Sequence, residues 1–102
     1  MIVSSLSAQK VVSLLKRAGF PHAGPVRYSE EHGGYVCQRE GFRTSSKAGR
    51  IFVEHWFVGP NPDNYREIIA TKILAYKSVM AAEGLAVMVQ EIGGRPYWLE
   101  VS

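Results

Sequence analysis

The sequence is 102 residues long, 46% hydrophobic and 21% charged, which fits one globular domain spanning 1–102 and excludes most large enzyme architectures. Its formal charge of +3 is unevenly placed: residues 1–50 carry eight Lys or Arg against three Asp or Glu, residues 51–102 four against six. At this size a core can form without metals or disulfides, and the single cysteine, Cys37, excludes an intrachain disulfide.

The spacing predicts a first helix from Ala8 to Ala18. Ala8, Val11, Val12, Leu14, Leu15 and Ala18 share one broad face, with Ser7 as N-cap and Gly19 as terminator. Val26–Tyr28 and Tyr35–Arg39 alternate like strands around Glu31-His32-Gly33-Gly34, a turn-forming run that predicts a hairpin. Residues 41–50, GFRTSSKAGR, read as a basic, solvated connection. Ile51–Val58 is the strongest strand; Ile51, Val53, His55 and Phe57 face one way, Phe52, Glu54, Trp56 and Val58 the other.

Pro60-Asn61-Pro62-Asp63 predicts the second helix, with Asn61 as N-cap and Pro62 at the first helical position. Its apolar stripe is Tyr65, Ile68, Ile69, Ile73, Tyr76, Val79 and Met80, and Gly84 ends it. Leu74 points nearly opposite and forms a second, smaller track with Ala70 and Ala81. Leu85–Gln90 and Tyr97–Val101 then predict a hairpin around Gly93-Gly94, with Pro96 at a strand start or edge.

The expected fold is α+β: a compact two-helix domain with a mostly antiparallel sheet of about five strands, in the order α-β-β-β-α-β-β. The pattern also contains an echo. Helix–Gly19–strand–Gly33-Gly34–strand matches helix–Gly84–strand–Gly93-Gly94–strand, with Ile51–Val58 between the two units.

No residue pattern supplies an active site, so the chain reads as non-enzymatic and without a cofactor. His22, His32 and His55 lack metal-ligand spacing, Cys37 has no activating base nearby in sequence, and Glu30-Glu31 splay apart in an extended segment. The absence of a disulfide framework favours a reduced, cytoplasmic setting. No apolar run reaches the ~17–25 residues of a membrane helix, and the Met1-Ile2-Val3 start lacks the features of a secretion signal.

The candidate contact residues are Arg39, Arg43, Lys47 and Arg50 in and around the basic loop, with Trp56, Leu74 and Trp98 as apolar anchors. Together they favour a protein partner with an acidic surface. Nucleic-acid binding through the basic N-terminal half is the alternative, with Tyr35, Trp56 or Trp98 as stacking surfaces; self-association through Ala70, Leu74 and Ala81, as a homodimer, is a third reading.

The first five elements resemble the α-β-β-β-α order of the double-stranded RNA-binding domain. The lysine-rich start of that family's second helix is replaced here by Pro62-Asp63-Asn64-Tyr65-Arg66-Glu67, so no RNA-contact residue carries over. Through Lys16-Arg17-Ala18-Gly19-Phe20 and Met80-Ala81-Ala82-Glu83-Gly84-Leu85, the chain also resembles small uncharacterised accessory proteins of actinobacteria and their phages. That resemblance implies modulation of a host factor.

Overall fold

Ser7 opens the first helix by accepting the Lys10 amide on its Oγ at 3.2 Å, one of the donors that a helix start leaves unpaired. This helix, α1, spans Ala8–Arg17. The computed structural model describes residues 6–102; the Met1–Val3 start lies outside them. At the other end Gly19 takes φ +96°, and the Phe20 amide returns to the Leu15 carbonyl, as the glycine predicted.

The predicted hairpin follows as β1 (Val26–Ser29) and β2 (Gly34–Cys37), joined antiparallel from Val26↔Cys37 to Ser29↔Gly34. It forms a two-stranded sheet of its own. The larger sheet contains β3 (Gly41–Lys47), β4 (Arg50–Trp56), β5 (Val87–Ile92) and β6 (Arg95–Val101), all antiparallel in the order β3-β4-β6-β5. There are thus six strands in two sheets among the described residues, rather than about five.

The additional strand is β3, in the stretch read as a loop. Residues 41–50 fold as that strand, a tight turn at Ala48-Gly49 and the start of β4. Ala48 and Gly49 both have positive φ, 53° and 79°, which suits the twist of a two-residue hairpin. Strand β3 lies at the sheet edge and buries only Gly41 and Phe42, so its remaining residues can be polar.

The chain covers part of that edge itself. Ala23 donates to the Phe42 carbonyl at 2.9 Å and Phe42 donates to the Pro21 carbonyl at 3.1 Å. Gly41 permits the approach, since a Cβ there would fall on the Pro21 carbonyl oxygen.

The second helix, α2 (Tyr65–Ala82), begins later than predicted. Its N-cap is Asn64 rather than Asn61, and Pro62 belongs to a preceding turn in which its carbonyl accepts the Tyr65 amide. Ile69, Ile73, Tyr76 and Met80 are buried, while Tyr65 and Val79 pack at the core margin. Gly84, at φ +80°, follows the helix end. Pro96 occupies β6 before the pairing with β4 begins at Trp98, so its missing N–H removes no bond from that seam.

Both helices pack on one face of the large sheet. Val11, Leu14 and Leu15 from α1 join the α2 stripe over Phe42, Ile51, Val53, Leu99 and Val101. The expected echo is present with a different partner. The repeated units are α1–β3–β4 and α2–β5–β6, whose second strands meet at the centre of the sheet, and β1–β2 is inserted in the first.

Candidate protein-binding face

Alternation along the strands decides which side chains face away from the helices. On β4, Ile51, Val53 and His55 turn into the core, so Phe52, Glu54 and Trp56 turn outward. The register then adds Arg43 opposite Glu54, Ser45 opposite Phe52, and Lys47 opposite Arg50. From β6 come Trp98, opposite Glu54, and Glu100, opposite Phe52; β5 contributes Met88 opposite Glu100 and Gln90 opposite Trp98. With both helices on the other side, this outer face is open. Phe52, Trp56 and Trp98 are each partly buried against their neighbours, and Met88 is 57% exposed.

Five of the seven candidate residues therefore share one face: Arg43, Lys47, Arg50, Trp56 and Trp98. The Arg43 guanidinium lies over the Trp56 ring, 5.3 Å from its centroid, and its Nε has no hydrogen-bond acceptor among the described residues. Arg50 reaches Glu100 at 3.4 Å. Arg39 lies in the link between β2 and β3 and donates to the His22 carbonyl at 3.2 Å.

The His22 imidazole shows that cations gather at this corner. Its pKa is lowered first by burial and then by the positive charges of Lys16, Arg43 and Arg39. Leu74 does not join them. It is 46% exposed on α2, in the helix layer across the core from the open face.

Sequence reasoning did not single out Phe52, Glu54, Met88 and Glu100. The signal was the aromatic content on both faces of Ile51–Val58, together with Trp98 and Glu100 alternating with Leu99 and Val101.

The remaining polar chemistry is internal. His55 Nε2 is 3.0 Å from Glu40 Oε2, and its Nδ1 is 2.7 Å from the Tyr76 hydroxyl. A carboxylate only accepts, so Nε2 carries the proton and the Tyr76 hydroxyl donates to Nδ1. Burial holds the His55 pKa below its usual value against the opposing pull of Glu40, and pushes the Tyr76 hydroxyl well up. The arrangement has the order of a nucleophile triad, but the hydroxyl at its end belongs to Tyr76, which is 1% exposed and packed in the core.

Cys37 is likewise buried, with Sγ 3.1 Å from the Arg39 carbonyl oxygen and 3.4 Å from that of Phe57; burial pushes its thiol up, away from the reactive thiolate. Among the described residues, His, Cys, Asp and Glu form no group of three placed to hold a metal ion, and no helix is long and apolar enough to cross a membrane. The chain matches no protein-family model, no curated protein and no solved structure.

Proposed function

We propose that the chain is a non-enzymatic protein-interaction module, a small accessory regulator that docks an acidic protein surface on the open face of its four-stranded sheet. The observation that carries this reading is the convergence of both tryptophans, Phe52 and Met88 on a sheet face that neither helix covers. Aromatic residues in the middle of such a face supply desolvated contact area. Arg43 and Lys47 on β3, with Arg50 opposite Lys47 in the register, supply attraction and orientation.

The same face argues for protein over nucleic acid. Glu54 and Glu100 stand between the aromatic side chains, where a stacked strand would bring its phosphates against two carboxylates.

The test is capture with wild-type chain, the Trp56→Ala/Trp98→Ala double variant and Leu74→Ala, followed by titration of the retained protein across salt. The expected partner carries an acidic contact surface. The double variant binds it at least about thirtyfold more weakly, as for loss of an interface anchor, while Leu74→Ala binds normally. Equal retention by the double variant, or a partner contacting through a basic surface, would overturn the proposal.

A further inference from the structure

The centre of the open face differs in chemistry from its cationic border. Ser45, Phe52, Glu54 and Trp98 line a shallow cleft of about 330 Å³, at the small end of ligand-sized depressions and suited to one side chain. Two of its walls are aromatic rings, whose faces attract cations. Between them in the register stands Glu54, opposite Trp98 and flanked by Phe52 two residues earlier on the same strand.

The Glu54 carboxylate has no ion-pair or hydrogen-bonding partner among the described residues. Its cross-strand neighbour Arg43 is turned aside onto Trp56. The other carboxylate on this face, Glu100, is held by Arg50, so Glu54 is the acidic group left open to a ligand.

From this geometry we infer that the cleft between Phe52 and Trp98 is a receptor for one cationic side chain, an arginine or lysine of the docked protein, with Glu54 as counter-ion. The partner's contact surface is then patterned rather than uniformly acidic. Carboxylates face Arg43 and Lys47 along β3, and a single guanidinium or ammonium group enters at the centre. A planar guanidinium can lie along an aromatic face while its edge donates to the Glu54 carboxylate, which makes arginine the better fit of the two. A wrong partner that buries an apolar or acidic group there leaves Glu54 desolvated and unpaired, so the cleft selects as well as binds.

This inference rests on the open face being the docking surface, yet it can be tested without the partner. The probe is N-acetyl-arginine amide, titrated into the folded chain while the two indole N–H signals are followed by NMR. The expected result is a saturable shift of the Trp98 signal larger than that of Trp56. Replacing the probe with its uncharged citrulline analogue, or Glu54 with Gln, weakens the response by at least about tenfold. Leu74→Ala, in the helix layer across the core, binds the probe as wild type does.

Equal binding of the citrulline analogue, or equal binding to folded Glu54→Gln, would overturn the inference. If no probe binds wild type while the tryptophan double variant still loses the captured protein, the cationic receptor fails and the docking face stands.

Discussion

The Tyr76 hydroxyl donates to His55 Nδ1 at 2.7 Å, and this bond ties α2 to β4 inside the core. Through Nε2 the same imidazole holds Glu40, whose side chain is half exposed, so one ring connects the interior to the link before β3. Every polar atom of the imidazole is satisfied. Such a network stabilises the fold only while all of its members are present.

Tyr76→Phe removes the hydroxyl and leaves Nδ1 buried without a donor. It is expected to cost about 1–3 kcal/mol, the penalty for stranding a buried polar group. Urea denaturation of the two proteins measures it. A cost near zero would show that the imidazole finds another donor.

The pH dependence follows from the depressed pKa of His55. The unfolded chain takes up a proton near 6.5 while the folded chain resists it to lower pH, so the unfolded state binds more protons between the two values. The contribution of neutral His55 is therefore full above 6.5 and is lost as pH falls toward its folded value. His22 shifts the same way. Stability measured from pH 7.5 to 5 should fall, and in His55→Asn, compared with its own value at pH 7.5, it should fall less steeply.

Adjacent residues on β6 should divide stability from binding. Leu99 is fully buried beneath the helices, and Leu99→Ala is expected to cost about 2–5 kcal/mol. Trp98 faces outward, and Trp98→Ala is expected to cost about 1 kcal/mol, the range of strand preference. Denaturation separates the two: a loss at Trp98 as large as that at Leu99 would place the indole in the structural core.

The β3–β4 turn carries a correctable strain. Ala48 sits at φ +53°, a region that favours glycine and asparagine. Ala48→Asn, which gives the Asn-Gly pair suited to this turn, is expected to raise stability by about 0.5–1 kcal/mol. Thermal denaturation should show a higher midpoint.

What the sequence made legible was the part governed by local periodicity. Val11, Leu14 and Leu15 on α1, and Ile69, Ile73, Tyr76 and Met80 on α2, repeat at helical spacing and are buried as expected. Strand β3 was hidden because an edge strand needs few apolar residues, and Arg43, Ser45 and Lys47 look like loop. The Asn61 signal lies outside the turn that precedes the helix, which runs from the Pro62 carbonyl to the Tyr65 amide, and the cap falls three residues later at Asn64.

The candidate site was legible residue by residue and illegible as a surface. Outward aromatics on β4 and β6 could be read from alternation, but their adjacency depends on pairing residues more than forty positions apart, such as Glu54 with Trp98. The same distance hid the His55 network, since Glu40 and Tyr76 lie 15 and 21 residues away. Leu74 was read as an apolar anchor and is exposed, yet nothing in a one-dimensional pattern shows that its helix lies across the core from the tryptophans.

The strand order also bears on how the chain assembles. Each half closes its own ribbon through two residues, Ala48-Gly49 or Gly93-Gly94, an event of microseconds. Joining the halves brings together segments as distant as Arg50 and Glu100, fifty positions apart, and the entropy of closing that span must be met before its contacts form. The β4–β6 junction is thus the slow step, and because both turns close before it, changes in either turn should alter how quickly the native state is reached more than how long it lasts.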